Sequence, residues 1–370
     1  METFDEQSVT KIRDGAAQDL ARIAVAGAGL IGARHIEEVR KNPSAHLSAI
    51  VDVSPKAAAM AVRLQVPIYA SIGELLARDQ PDGVILSTPN QLHADQAIEC
   101  VNGGVPILVE KPLAHSLEAG ERLCEAAERV GVPVLVGHHR RHSPIVRAAI
   151  GVVQSKVLGP LIGAMGSAAF YKPDSDGYYD GPNAWRRQPG GGPILINMIH
   201  EIDSLRALVG EIVSVQAIDS NATRGFEVED TAAITFQFAN GALGSFFLSD
   251  TGASARSWEQ TSREDPAFAA YEDEDCCTIV GTRGSLAIPT MRLKYFERDG
   301  DRSWNKPFRT RTVTFERRNP LELQIEHFIR VIRKEARPLV GARDGLQNLR
   351  VTDAIARAAR TGRVEQVPVN

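Results

Sequence analysis

The chain is poor in cysteine, lacks long apolar runs and has no excess of basic residues. Only four of its 370 residues are cysteine and none forms a Cys-x-x-Cys pair, which excludes a dense disulfide framework and favours reduced thiols. No run approaches the roughly 20 apolar residues that span a bilayer, so a membrane is not an expected partner. Lysine and arginine total 42 against 46 acidic residues, a formal net charge of -4, which argues against nucleic acid binding.

The length and the first residues indicate how the chain is organised. A chain of 370 residues with 43% hydrophobic content is too long for one ordinary domain, so two domains are expected. Residues 1–20 are polar, mixed in charge and without the apolar core of a secretory signal. We interpret them as an N-terminal extension and expect a cytoplasmic protein.

From residue 21 to about residue 137, short apolar strands alternate with helical patterns. This alternation predicts parallel β–α units with both sheet faces covered, and hence a Rossmann domain over residues 21–142. The predicted strands are 21–27, 47–52, 68–69, 83–87, 107–109 and 134–136, and the predicted helices are 30–41, 55–64, 72–77, 92–102 and 117–130.

The pattern changes over residues 143–370. Segments that alternate apolar and polar residues predict an α+β domain with an open, mainly antiparallel sheet. Its predicted strands are 213–219, 231–238, 243–249 and 278–280, and its predicted helices are 145–155, 194–209, 321–334 and 346–361. Residues 258–275 are acidic and irregular, and we expect a long surface loop there.

A glycine-rich turn joins the first predicted strand to the first predicted helix. Gly27, Gly29 and Gly32 form the string G-x-G-x-x-G. The first glycine permits a tight turn, the second lets the backbone approach a pyrophosphate, and the third allows close helix–strand packing. The free N–H groups at the start of the helix, around Leu30 and Ile31, suit an anion. The turn predicts a dinucleotide site; the alternative is a purely structural βα turn.

Asp52 ends the next strand, twenty positions after Gly32. A carboxylate there would accept hydrogen bonds from the adenosine ribose and repel a 2′-phosphate. NAD is therefore the expected cofactor and NADP the less favoured one, although Lys56 could reach a phosphate.

Further motifs resemble those of the Gfo/Idh/MocA oxidoreductase family, which includes glucose–fructose oxidoreductase and inositol dehydrogenase. They occur in the family's order and span nearly the whole chain after residue 20. Besides the glycine turn they are Thr88-Pro89-Asn90 with His93, Glu110-Lys111-Pro112, Trp185-Arg186, and Gly190-Gly191-Gly192 followed by His200 and Asp203.

The resemblance implies a fold, an activity and an assembly. It implies a Rossmann domain followed by an α/β domain with an open sheet, through which a homodimer or homotetramer would assemble. It implies NAD(P)-dependent hydride transfer at a secondary alcohol or ketone of a sugar, cyclitol or related ring alcohol, with no metal. The residues implied to bind the cofactor, besides the turn and Asp52, are Thr88, Asn90, His93, Glu110 and Lys111.

Two side chains are candidates for proton transfer. Lys111 follows a predicted strand, where the ligand crevice of such folds lies, and the resemblance implies a cis bond to Pro112. His200 lies on the helix after the triple glycine, but many family members carry an aspartate four residues earlier, where this chain has Ile196. Isoleucine cannot orient an imidazole, so Lys111 is the stronger candidate for the base.

Several residues are candidates for contacts with the substrate. Asn197 and Asp203 share a broad helical face with His200, so they could bind substrate hydroxyls. Arginines near the expected pocket suit a carboxylate, so a carboxylated substrate such as an aromatic-acid cis-dihydrodiol or a sugar acid is an alternative; the other interpretation is interdomain salt bridges. The remaining candidates are Arg140, Trp185 and Arg186, while Tyr171, Lys172, Tyr178 and Tyr179 could contact a polyol or simply pack a loop.

Two functions of different classes remain. The first is a dehydrogenase of ring alcohols. The second is a cofactor-binding sensor or co-repressor without turnover, against which the retention of Lys111, His200 and Asp203 argues.

Overall fold

The computed structural model describes residues 20–174 and 177–369. The predicted N-terminal extension therefore lies, but for its last residue, outside the described residues. Within the described ranges, no helix combines the length and apolar character needed to cross a membrane.

The first sheet has six parallel strands in the order β3-β2-β1-β4-β5-β6. The strand order reverses between β1 and β4, and in such sheets ligands bind outside the carboxyl ends of the strands at that reversal. This confirms the predicted Rossmann fold. Its strands are β1 (Ala21–Ala26), β2 (Ala45–Val51), β3 (Ile68–Tyr69), β4 (Gly83–Leu86), β5 (Ile107–Val109) and β6 (Val134–Val136), and its helices are α1 (Leu30–Lys41), α2 (Pro55–Leu64), α3 (Ile72–Arg78), α4 (Asn90–Asn102) and α5 (Leu117–Val130).

The second domain contains a nine-stranded mixed sheet with the order β14-β13-β12-β11-β7-β10-β9-β8-β15. Strands β7 and β10 run parallel and the other neighbouring pairs run antiparallel, as predicted for this domain. Its strands are β7 (Leu161–Ala169), β8 (Ile212–Ser220), β9 (Thr231–Phe238), β10 (Leu243–Ser249), β11 (Cys277–Gly281), β12 (Gly284–Ile288), β13 (Arg292–Tyr295), β14 (Arg309–Thr312) and β15 (Glu365–Gln366). Its helices are α6 (Pro144–Gln154), α7 (Ile199–Leu208), α8 (Trp258–Thr261), α9 (Pro320–Ile332) and α10 (Ala342–Thr361), with a π-helical turn at Ile194–Met198 and 3-10 helices at Gly181–Arg187 and Asp299–Asp301. A further 3-10 helix, His139–His142, ends the first domain.

The sequence pattern did not predict β7, although this strand lies in the middle of the sheet. Its glycines and alanines give little hydrophobic alternation, yet a Cβ on Gly166 would lie 2.5 Å from the ring of Phe246 on the neighbouring strand. The small residues therefore make room for a large neighbour. Strands β12 to β15 were missed as well.

The prediction of a surface loop over residues 258–275 was wrong for its first part. Residues 258–261 form α8, and the side chains of Trp258 and Thr261 are buried. The acidic residues of this segment misled the prediction, because one of them, Glu259, points into the protein and pairs with Arg140, as described below.

The two faces of the second sheet differ. Helices α6, α7 and α10 cover one face and form the larger hydrophobic core. The other face exposes apolar side chains, among them Met165, Leu243 and Phe247.

Helix α9 crosses back to the first domain. It packs with α1 and α2 on one face of the first sheet, and a Cβ on Gly83 would lie 3.0 Å from the Phe328 ring. The C-terminal part of the chain thus completes the core of the cofactor-binding domain.

Candidate active site

The glycine turn follows β1 and is built as the sequence pattern predicts. Gly27 has a φ of +85°, and a Cβ there would lie 2.6 Å from the carbonyl oxygen of Ser87. A Cβ on Gly32 would lie 1.8 Å from the carbonyl oxygen of Gly27, so α1 packs against the turn itself. A Cβ on Gly29 would meet nothing within 4 Å. The backbone is therefore accessible at the point where a pyrophosphate would approach it.

Asp52 lies beside this turn, immediately after β2. Its carboxylate accepts hydrogen bonds from the backbone amides of Ala28 and Ser54, both at 2.8 Å. Partial burial by itself would raise the pKa of Asp52, but these hydrogen bonds hold it below its ordinary value. Asp52 is thus an ionised group at the rim of the turn and also stabilises the turn.

These features fit a nicotinamide dinucleotide. The amides of Leu30, Ile31 and Gly32 belong to the first turn of α1, where N–H groups have no partner within the helix. The helix start, the open space over Gly29 and the carboxylate of Asp52 would hold the phosphates and the adenosine ribose.

The side chains of Thr88 and His93 in the Thr88–His93 segment make hydrogen bonds within the protein. The His93 ring is buried and its nitrogens lie 2.8 Å from the backbone oxygens of Pro112 and Thr88. His93 therefore links this segment to the turn after β5 and does not face a cofactor. The hydroxyl of Thr88 donates to Gln96 at 2.6 Å, and the half-buried Asn90 begins α4.

Glu110 is also turned away from the crevice. Its carboxylate lies 2.8 Å from Nε2 of His35 on α1. Burial alone would raise the pKa of Glu110, but the hydrogen bond and charge of His35 bring it to about 2. The structure thus assigns Glu110 to a buried pair with a histidine that sequence reasoning did not single out.

Lys111 reaches across to the second domain. Its bond to Pro112 is cis, and its Nζ donates to the backbone oxygen of Ile196 at 3.2 Å. Burial lowers the pKa of Lys111, the nearby Arg140 and Lys172 cations lower it further, and Glu110 opposes them. A lysine with a lowered pKa is suited to take up a proton near neutral pH.

The partner of Lys111 lies in the π-helical turn that precedes α7. Glu229 accepts a hydrogen bond from the first amide of this turn, that of Ile194, at 2.7 Å. Gly192 just before it has a φ of +82°, and a Cβ there would lie 2.6 Å from the Glu229 carboxylate. The triple glycine thus lets a half-buried glutamate cap the turn. π-helical turns often occur at functional sites.

His200 lies near the same turn, at the start of α7. Its ring is buried, its Nδ1 has no hydrogen-bond partner among the described residues, and it makes edge contacts with the rings of His138 and His139 at 6.0 and 5.2 Å between centroids. Burial lowers the pKa of His200 well below its usual value, and Lys111 and Arg140 add to this. His200 is therefore a neutral imidazole, and the missing aspartate leaves its Nδ1 unsatisfied.

Asn197 pairs with a residue that sequence reasoning left unassigned. Its Oδ1 accepts a hydrogen bond from Nζ of Lys172 at 2.7 Å. Lys172 follows β7, is 7% exposed and also donates to the hydroxyl of Tyr178 at 3.1 Å. Lys111 and Lys172 therefore contact consecutive residues of one turn, Ile196 and Asn197.

Asp203 does not share this environment. It is fully buried and accepts hydrogen bonds from Arg141 at 3.1 Å and from Asn348 at 3.0 Å, and Asn348 also contacts His138. The predicted contact between Asp203 and substrate is not compatible with this burial. Asp203 instead joins α7 to the end of the first domain.

Arg140 is likewise internal. Its side chain is 3% exposed, and its terminal nitrogens pair with Glu201 at 2.5 Å and Glu259 at 2.7 Å. Its guanidinium also lies 5.2 Å from the Trp258 ring centroid. The structure therefore assigns Arg140 to an interdomain ion-pair network rather than to substrate. Glu201 and Glu259 were missed because the sequence does not show which acidic residues point inward.

Trp185 and Arg186 lie in the 3-10 helix before the triple glycine. The Arg186 guanidinium lies 4.0 Å from the ring centroid of Tyr178, and donates to that residue's backbone oxygen at 2.9 Å. Trp185 is 41% exposed. The Tyr178 ring also lies 4.7 Å from Nζ of Lys172, so an aromatic ring separates two cations.

Comparison with known proteins agrees with this architecture. Residues 21–138 match the model of the GFO_IDH_MocA oxidoreductase family with an NAD-binding Rossmann fold, and residues 157–369 match that family's C-terminal alpha/beta domain. The chain is 27% identical over 371 residues to an inositol 2-dehydrogenase of Rubrobacter xylanophilus, covering 94% of each chain.

Two further relatives extend the range of substrates. The chain is 27% identical over 279 residues to a 4-carboxy-2-hydroxymuconate-6-semialdehyde dehydrogenase of Sphingobium, covering 68% of this chain and 84% of that one. Among solved structures it resembles the WlbA dehydrogenase from Bordetella pertussis in complex with NADH and UDP-GlcNAcA, with a TM-score of 0.75, 25% identity and coverage of 95% and 100%. The chain therefore belongs to the Gfo/Idh/MocA family of NAD(P)-dependent oxidoreductases.

Proposed function

We propose that this protein is a dehydrogenase that moves a hydride between nicotinamide and a secondary alcohol or ketone on a sugar, cyclitol or related ring. The observation that carries the proposal is the position of Lys111: its Nζ donates to the backbone oxygen of Ile196 at 3.2 Å, four residues before His200, and burial lowers its pKa. The relatives' names, which include an inositol dehydrogenase, support a ring alcohol as the substrate.

The residues have separate roles in this reaction. The nicotinamide supplies the hydride acceptor when bound. Neutral Lys111 takes the proton of the substrate hydroxyl at Nζ, and the carbonyl of Ile196 holds that nitrogen in place. His200 offers its unpartnered Nδ1 to the same hydroxyl or to a neighbouring one. Burial of both groups excludes water from the reacting atoms.

The cofactor that we propose is NAD. Asp52 places an ionised carboxylate at the end of β2, where it would repel the 2′-phosphate of NADP. Titration of cofactor fluorescence should give a lower dissociation constant for NADH than for NADPH.

The assembly that we propose is a homodimer or homotetramer. Apolar side chains such as Met165, Leu243 and Phe247 are exposed on the open face of the second sheet, and a second copy could cover them. Sedimentation velocity measures the subunit number.

The decisive experiment is the Lys111→Met variant. We expect turnover to fall by about 10²-fold or more, because the hydroxyl proton loses its acceptor, while NADH affinity changes far less. Turnover is measured with NAD and a panel of sugars, cyclitols and their acids. In the wild type, kcat/KM should rise with pH and level off below the ordinary pKa of lysine, because only the neutral amine accepts a proton.

A matched control is Lys306→Met, which removes an exposed lysine on a remote loop. Near-normal turnover in Lys111→Met would refute the role of Lys111 as the base. Tight cofactor binding by the wild type without turnover of any panel compound would instead favour a sensor or co-repressor.

A further inference from the structure

Lys172 is a buried cation whose described partners are all uncharged. Its Nζ contacts the Asn197 amide oxygen and the Tyr178 hydroxyl, and it lies 5.3 Å from the Phe170 ring centroid. Within the described ranges, no carboxylate lies within ion-pair distance of Lys172 or of Lys111. The buried Lys172 and the half-buried Lys111 thus contact the same turn, and neither has a carboxylate partner among the described residues.

The carboxylates of the described residues around the site have other partners. Each of those named next would have to break an existing contact to reach Lys172. Glu110 pairs with His35, Glu201 and Glu259 with Arg140, Asp203 with Arg141, and Asp250 with Arg224 and Tyr179.

A buried ammonium without a carboxylate partner is energetically unfavourable. Lys172 and Lys111 also repel each other, which contributes to the lowered pKa of Lys111. A negatively charged group of the substrate would relieve both penalties at once, because both lysines contact the turn at Ile196 and Asn197.

The atoms beside Lys172 match a carboxylate. Asn197 uses its oxygen to accept from Lys172, so its Nδ2 is left as a donor, and it makes no hydrogen bond with the described residues. The Nζ of Lys172 and the Nδ2 of Asn197 therefore form two adjacent donors for the two oxygens of one carboxylate.

We propose that Lys172 and Asn197 form a carboxylate-binding subsite, and that the substrate is a ring alcohol with a carboxylate close to the reacting hydroxyl. This inference rests on the proposed function, because Lys111 must hold that hydroxyl. It also changes which residue recognises the acid. The arginine expected in that role, Arg140, already holds Glu201 and Glu259, whereas Lys172 holds no carboxylate.

The experiment compares acids with matched neutral compounds. The pairs are quinate with myo-inositol, glucuronate with glucose, and galacturonate with galactose. For wild type, Lys172→Met, Lys172→Arg and the control Lys306→Met, we would measure the acid-to-neutral ratio of kcat/KM. The same ratio is measured for dissociation constants, from the fluorescence of bound NADH, so a pair that is not turned over still gives a result.

The wild type should prefer the acid of at least one pair by 10-fold or more. Lys172→Met should lower that ratio by about 10- to 100-fold, the effect of removing a charged hydrogen bond. Lys172→Arg should restore most of it, which a merely misfolded site would not permit, and Lys306→Met should leave the ratio unchanged.

Two results would overturn the subsite: no acid preferred by the wild type in either measurement, or a preference that survives Lys172→Met. Failure of the proposed function is a different result. In that case Lys111→Met would keep its turnover, or no compound would be oxidised, while the binding ratio would still report on Lys172.

Discussion

Arg140 and Lys172 are both buried cations beside α7, but their surroundings are opposite. The Arg140 guanidinium pairs with the carboxylates of Glu201 and Glu259 and lies 5.2 Å from the Trp258 ring centroid. Lys172 contacts an amide oxygen, a phenol and aromatic rings. Among the described residues, Arg140 therefore has carboxylate partners and Lys172 has none.

This difference separates structure from function. A paired buried charge holds elements together, and here it joins the end of the first domain to α7 and α8. An unpaired buried charge does little for the free protein and is available to a ligand. Residue type alone would have favoured the arginine for carboxylate binding.

The largest change in stability is expected from Arg140→Met. It leaves the buried Glu201 and the half-buried Glu259 without their cation, so the free energy of unfolding should fall by about 3–5 kcal/mol. Urea denaturation measures the change. The control Arg309→Met removes an exposed arginine and should cost no more than about 0.5 kcal/mol. A similarly small loss for Arg140→Met would show that the network does not stabilise the fold.

A smaller effect on stability is expected from Glu229, a half-buried acid that accepts a hydrogen bond from the Ile194 amide. Burial raises the pKa of Glu229 to about 7, so the folded protein holds this proton more tightly than the unfolded chain does. Its contribution to stability is therefore full below the ordinary pKa of glutamate and is lost as the pH rises through 7. The loss is on the order of 2–3 kcal/mol.

Glu229→Gln should remove this component of the pH dependence, because glutamine keeps an acceptor for the Ile194 amide and does not titrate. Thermal denaturation from pH 4.5 to 8 measures it, with Glu272→Gln at an exposed site as the control. Identical pH profiles for Glu229→Gln and wild type would contradict the raised pKa.

The smallest effect is expected from Lys172→Met in the ligand-free protein. The substitution removes an unpaired charge and keeps the apolar stem, so stability should change by no more than about 1 kcal/mol, or increase. Urea denaturation of Lys172→Met and Arg140→Met under the same conditions compares the two changes in stability. A loss as large as that of Arg140→Met would mean that Lys172 is a structural cation, and the contrast between the two residues would fail.

Local rules were sufficient for the cofactor half of the site. The glycine spacing, the strand before it and Asp52 at the end of the next strand predicted a turn that the structure contains, because positive φ at Gly27 and contact at Gly32 are properties of neighbouring residues. The order of strands and helices in the first domain was also predicted correctly, because it depends on the pattern of apolar residues along short stretches of the chain.

Long-range packing made other predictions wrong. His93 belongs to a motif that the resemblance assigned to the cofactor, yet both of its ring nitrogens face backbone oxygens. Strand β7 has almost no hydrophobic alternation, and its place in the sheet depends on pairing with β10 and β11. The residues adjacent in sequence do not show which distant backbone groups or strands these residues will contact.

The sequence by itself determined the family, the two-domain order and the glycine turn, and it predicted a role for Lys111. Only the tertiary structure decided that Lys111 contacts Ile196, that Lys172 contacts Asn197, and which buried cations have carboxylate partners. The physical reason is distance along the chain: Lys111 and Ile196 are 85 residues apart, and Arg140 and Glu259 are 119 apart. Local periodicity shows which face of an element is apolar, but only packing shows which charges meet.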